Sequence, residues 1–179
     1  MQSLLLSWRK VVARFFTVLT LGVCLACAPR LSPTTHFDAS AALSDLEEGS
    51  NTITGRASII SPNGFTRTCE YDGVSLIPVT AYSNEWMSLV FGSQQGGYAR
   101  HNAYERLSGD DGFDKYARRG ECDEAGRFRF EHVANGKYFV VSKITWLLRW
   151  TRSGGALAQT VEVSGGQSKQ LLLEKRLER

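Results

Sequence analysis

From Asn51 onward, apolar residues recur at every second position in short runs, and each run ends in a turn signal. A period of two places alternate side chains on opposite faces of an extended strand, so such a chain can fold only by stacking half-buried strands. Thr52 to Ile60 (T-I-T-G-R-A-S-I-I) is the first run and is closed by S-P-N-G. Gly73 to Tyr82 follows, with Pro78 predicting an edge position or a bulge because it has no N–H to give a neighbour. In R-F-R-F-E-H-V, Phe128 and Phe130 face one way and Arg127, Arg129 and Glu131 the other. Asn135-Gly136 predicts a hairpin from this run into Lys137 to Trp150, where Ile144, Trp146, Leu148 and Trp150 share a face. Ser153-Gly154-Gly155 predicts the next turn, and Gly165-Gly166 joins the last two strands, Ala156 to Ser164 and Ser168 to Lys175. At least six short strands with little helix predict an antiparallel sandwich or barrel.

The first 26 residues read differently. Arg9, Lys10 and Arg14 precede twelve uncharged residues, Phe15 to Ala26, and small residues follow. This is the pattern of a secretory signal peptide, and it is too short for a permanent span, which needs roughly 20 apolar residues. The exit V-C-L-A-C resembles the lipobox of bacterial lipoproteins. That resemblance implies cleavage before Cys27, acylation of its side chain (palmitate among the acyl groups) and an anchor in the membrane. Cys24 stands where the family usually has Leu. Cleavage before Cys24 is the alternative, and it would set Val23, a poor small residue, at the cut. Residues 27–50, with Pro29 and Pro33, read as a tether, and Ser40 could cap a short helix reaching Glu48.

Removing the leader takes three basic residues with it. The formal charge of +3 then becomes 18 basic against 18 acidic residues, a balance with no electrostatic case for nucleic acid. Of four cysteines, only Cys69 and Cys122 remain for the folded part. In an oxidising compartment they read as one disulfide, with two buried thiols as the alternative.

Three segments together, T-G-R-A-S, V-S-L-I-P-V-T-A-Y and C-D-E-A-G-R-F-R-F-E-H-V-A-N-G-K-Y-F-V-V, resemble the carboxypeptidase regulatory-like domain. Asp123, Gly126, Phe128, Val133, Gly136 and Tyr138 occupy the recurring positions of that family. The resemblance implies an all-β, antiparallel transthyretin-like (prealbumin-like) sandwich over residues 51–179, without catalysis in most settings. Residues 83–121 stand outside it as one long insertion, with Asn84 expected to cap a single helical turn.

The chemistry-bearing residues do not assemble an enzyme. Cys122, Asp123, Glu124 and His132 lack the ligand spacing of a zinc site, and His132 reads as a packed histidine at a strand end. D-D-G-F-D at 110–114 departs from a calcium loop. There is no G-x-S-x-G, and no paired tyrosines and histidines for iron. No cofactor and no metal are expected. The insertion supplies a candidate interface, Trp86, Phe91, Tyr98, Tyr104, Arg118 and Arg119, because aromatic and arginine side chains anchor protein contacts. The same aromatics could instead fill a second small core. The function expected is that of an envelope lipoprotein, a non-catalytic binding or structural module with an envelope protein as partner. Ala28 after the acylated cysteine, where an inner-membrane retention signal would have Asp, implies the outer membrane and its periplasmic face. A small-molecule or glycan carrier and a secretion-machinery lipoprotein subunit are the alternatives.

Overall fold

The computed structural model describes residues 32–43, 48–105 and 113–178; the expected leader and Cys27 lie outside them. Among the described residues, nine strands build two facing sheets, an all-β sandwich. In chain order they are β1 (Glu48–Ile60), β2 (Thr66–Thr68), β3 (Val74–Pro78), β4 (Gly96–Arg100), β5 (Arg118–Gly120), β6 (Arg127–Val133), β7 (Gly136–Leu148), β8 (Thr151–Val163) and β9 (Ser168–Arg176). The helices are α1 (Ala39–Leu43), α2 (Ala81–Phe91) and α3 (His101–Glu105), and a 3-10 turn covers Phe113–Tyr116.

Sheet one is built on β1. β9 runs along one edge, while β6 and then β2 share the other. The β1–β9 pairing is parallel, which departs from the all-antiparallel expectation. Sheet two has the order β4-β8-β7-β3-β5, every pair antiparallel. Between the sheets, Ile53, Ala57 and Ile59 of β1 meet Phe128 and Phe130 of β6, Leu171 and Leu173 of β9, and Tyr138 and Val140 of β7.

The expected Asn135-Gly136 hairpin is not one. β6 pairs in sheet one and β7 in sheet two, so these residues turn a corner between the sheets. Asn135 has no positive φ, and Gly136 at 159° is close to extended, so the left-handed pair of a two-residue reversal is missing. The reason is burial. β7 is apolar on both faces because its inner side chains fill the sandwich while Phe139 and Val141 face a second core outside. Asn51, fully buried, fastens the corner. Its Nδ2 donates to Val133 O at 2.9 Å and to Asn135 Oδ1 at 3.0 Å, and its Oδ1 accepts from Gln167 N at 2.9 Å. Gly165-Gly166 lies in a second crossing, from β8 to β9.

His132 is exposed, not packed. Between the pairs Asn51↔Val133 and Ile53↔Phe130, β6 carries one residue more than β1. His132 takes the left-handed φ of 55° in this bulge, which returns Val133 to the core.

The hairpin that does form joins β7 to β8 at Arg149-Trp150, with Leu148 opposite Thr151. Both central residues are left-handed, at φ 48° and 71°. The expected Ser153-Gly154-Gly155 turn lies inside β8 instead. At Gly155 a Cβ would come within 2.1 Å of Ala99 O, so glycine admits the neighbouring strand β4.

Within 83–121, the described strands β4 and β5 belong to the sandwich as the two edges of sheet two. Their brevity and their glycines hid the strand period. Pro78 ends β3 just past the reach of β5, which pairs only Val74 to Leu76, so its missing N–H faces no strand there. Helix α2 is capped by Thr80 rather than Asn84. Thr80 Oγ1 accepts from Ser83 N, Ser83 Oγ accepts from Thr80 N, and Gly92 closes the helix at φ 70°.

Much of the expected tether is docked. Thr34 N and Thr34 Oγ1 donate to Glu85 Oε1, each at 2.8 Å, and Thr35 N donates to Glu85 Oε2 at 2.7 Å. Phe37 is buried against Tyr82 and Tyr116; α1 is described as far as Leu43, and Glu48, where the helix was expected to end, is the first residue of β1. The Thr34 amide, followed by the Thr35 and remaining Thr34 donors, holds the Glu85 carboxyl down to about 2 from 4.5. A depressed folded value means that this docking is fully present above the unfolded value and fades as pH falls from 4.5 toward 2. Exchange protection of the Thr34 and Thr35 amides is expected to disappear across that window, and Glu85→Ala should remove it at neutral pH. Protection that persists in Glu85→Ala would refute the clasp.

Candidate functional site: a polar concavity on sheet one

The outward positions of sheet one form rungs. In one, Thr54 of β1 stands between Arg129 of β6 and Gln170 of β9. In the next, Arg56 stands between Arg127 and Leu172. Side chains directly opposite on one face have Cβ atoms about 4.5–5.5 Å apart, so each rung presents three of them together. A shallow concavity of about 720 Å³ opens here, lined by Thr54, Arg56, Arg127, Arg129 and Gln170 with Glu121 and Asp123 at its rim. Gly55 lies in its floor. A Cβ there would meet the Phe128 ring at 2.4 Å, so glycine lets the buried ring rise directly beneath the sheet.

Arg56 and Arg127 face each other across the strands, a like-charge pairing that weakens a sheet. Local acceptors hold both in place. Arg56 Nε donates to Ala125 O at 2.9 Å, and Arg127 Nε donates to Asp123 Oδ2 at 2.7 Å. Asp123 Oδ1 also accepts the Arg127 amide at 2.8 Å. That amide first, and then the Arg127 side chain, hold the Asp123 carboxyl below its usual range. Arg129 is turned toward Glu131, whose carboxyl is lowered by that contact. All these groups are solvent-accessible, so the ion pairs contribute little to stability. Their effect is to fix the direction of the arginines while leaving the Nη donors of Arg56 and Arg127 without a protein partner among the described residues.

The segment carrying Asp123 is braced from below. Cys69 and Cys122 form a disulfide with Cα atoms 5.6 Å apart, joining the β2–β3 connection to the residue before Asp123. Asp123 N donates to Arg127 O, Gly126 N donates to Asp123 O, and Gly126 is left-handed at φ 76°. Among the described residues, no group of three or more His, Cys, Asp or Glu side chains could hold a metal ion. The acidic run at 110–114 lies largely outside them.

The residues expected to form an interface are dispersed. Trp86 is buried in the second core with Met87 and Val90, and Phe91 is half-buried, its ring 6.3 Å from that of Trp86. Tyr98 is half-buried in β4. Its hydroxyl donates to Gly154 O at 3.0 Å, and burial raises its pKa. Tyr104 falls in α3, its side chain outside the described residues. Among the described side chains, Arg118 and Arg119 are exposed, both on edge strand β5, with Arg118 lying 5.8 Å from the Phe130 ring centroid. Trp86 and Phe91 thus help fill the core between α2 and sheet two, and the five described side chains make no common surface. Arg127 and Arg129 were legible as outward-facing, but the rungs that gather them with Thr54, Arg56 and Gln170 depend on register between distant strands.

No protein-family model matches the chain, and no curated protein sequence does. Among solved structures, the chain is similar to a Pseudomonas aeruginosa protein whose suggested role is carbohydrate binding. The two are 25% identical with a TM-score of 0.62, over 78% of this chain and 98% of that one.

Proposed function

We propose that this protein is a non-catalytic, carbohydrate-binding module of the cell envelope, anchored through an acylated Cys27. The concavity on sheet one carries this reading. Hydroxyl-rich ligands are recognised by rigid, closely spaced donors and acceptors, and here arginines, carboxylates, an amide and a hydroxyl converge on a sheet braced by a disulfide. The mixture of signs suits a neutral or weakly acidic saccharide better than a polyanion. The likeness to a protein of suggested carbohydrate-binding role supports the same ligand class. The aromatic insertion, expected to make the contact, has its largest ring, Trp86, inside the fold. Leader, acyl anchor and outer-membrane placement rest on the lipobox resemblance, and the disulfide suits an oxidising envelope.

Binding of neutral and acidic oligosaccharides to the intact chain tests the site. Arg127→Ala and Arg129→Ala should each weaken binding about tenfold or more, since a hydrogen bond to a charged group is worth ~1.5–3 kcal/mol. Arg119→Ala, on the opposite sheet, should leave it unchanged. Equal affinities across the three variants would overturn this location.

A further inference from the structure

We propose that the tip of the β7–β8 hairpin seats on the surface of an anionic phospholipid bilayer. Trp150, at the turn, is 98% exposed, and Leu147 and Leu148 beside it are 73% and 54% exposed. Leu147 and Leu148 are consecutive strand residues and point to opposite faces of the ribbon, so no single packing partner of the sandwich could cover both. A two-stranded ribbon in water has no use for apolar side chains on both faces. A ribbon dipping into an apolar medium does, and its backbone enters already paired: Trp146 with Ser153, Leu147 with Arg152, Leu148 with Thr151.

The charge on the hairpin fits a lipid surface. From Phe139 to Val161 the chain contains Lys143, Arg149 and Arg152 and no acidic residue. Arg149 stands next to Trp150 at the tip and Arg152 lies opposite Leu147, so basic and apolar side chains alternate within the last rungs of the ribbon, a mixture suited to the headgroup level of an anionic bilayer. The turn also favours side chain over backbone comfort. Arg149 and Trp150 both adopt left-handed φ, where Asn-Gly would be relaxed.

Other exposed rings share this end of the sandwich. Phe65, 66% exposed, lies in the β1–β2 turn, and Tyr71, 92% exposed, lies in the β2–β3 connection. That connection is tied to the hairpin through Asp72 Oδ2, which accepts the Thr145 amide at 3.0 Å. The contact differs from the saccharide concavity in position and in chemistry.

The test reads Trp150 directly. The full chain and its Trp150→Phe variant are placed in vesicles of phosphatidylglycerol and phosphatidylethanolamine, and the difference between their emission spectra isolates Trp150. That component should shift to shorter wavelength and be quenched by brominated acyl chains. It should respond less in phosphatidylcholine vesicles, and the response should disappear in a Leu147→Ser, Leu148→Ser double variant with an unchanged melting midpoint. A Trp150 component that stays water-like on every vesicle overturns the proposal. So does one that shifts only when a soluble oligosaccharide or protein is added.

Discussion

Replacing both Cys69 and Cys122 by alanine is expected to lower stability by about 4 kcal/mol. The bridge closes a loop with a sequence separation of 53 residues, and the chain-entropy relation assigns that loop about 4 kcal/mol. For a domain with only about 5–15 kcal/mol in hand this is a large share, and the melting midpoint should fall by roughly 10 °C. Alanine is the right replacement because Cys69 is fully buried, and a serine hydroxyl there would add a polar burial cost of its own. The effect should reach the saccharide site as well. Cys122 fixes the start of the Asp123 turn that aims Arg127, so affinity should drop even where the variant remains folded. Chemical denaturation of the oxidised protein and the double variant measures the first effect. Coincident transitions would show that the bridge braces nothing.

Asn51→Asp is expected to cost roughly 3–5 kcal/mol at neutral pH, the scale for an uncompensated buried charge. Asn51 uses its amide as two donors and one acceptor, tying together β1, the β6–β7 corner and the turn before β9. A carboxylate would keep the bond from Gln167 N but would set negative charge against Val133 O and Asn135 Oδ1. Burial would raise the carboxyl's folded pKa above its unfolded value. The protonated form is therefore the better tolerated one, and the penalty should shrink as pH falls below the folded value and grow as pH rises through it. Thermal melts of Asn51→Asp across acidic and neutral pH, with Asn51→Ala as the pH-independent reference, measure this. A pH-independent loss in both would place the network in solvent, contrary to the structure.

Strands were legible wherever one face is wet. β6 and β9 alternate cleanly, and Phe128, Phe130, Leu171 and Leu173 are buried as the period requires. Turns were less legible because the same residues that reverse a hairpin also turn a corner between sheets. Asn135-Gly136 and Gly165-Gly166 both lie at crossings, and nothing local distinguishes a strand that returns beside its neighbour from one that changes sheet. The real reversal at Arg149-Trp150 carries no turn residue at all, since its conformation is imposed by the long β7–β8 ladder. In the insertion, the second small core that the sequence offered as the alternative to an interface is the one Trp86, Phe91 and Tyr116 help to fill on the outer face of sheet two, and which reading held depended on β7 being apolar on both sides. The concavity was invisible as a site because Thr54, Arg56, Arg127, Arg129 and Gln170 come from three distant segments, joined by a parallel pairing the sequence did not announce.

Hydrogen exchange with and without a bound oligosaccharide locates the binding surface in one measurement. Slowed exchange is expected at residues 54–56, 121–129 and 169–171, the three segments that build the concavity, with α2 and β5 unchanged. Protection confined to α2, β4 and β5 would return the contact to the insertion and contradict the assignment of the site to sheet one.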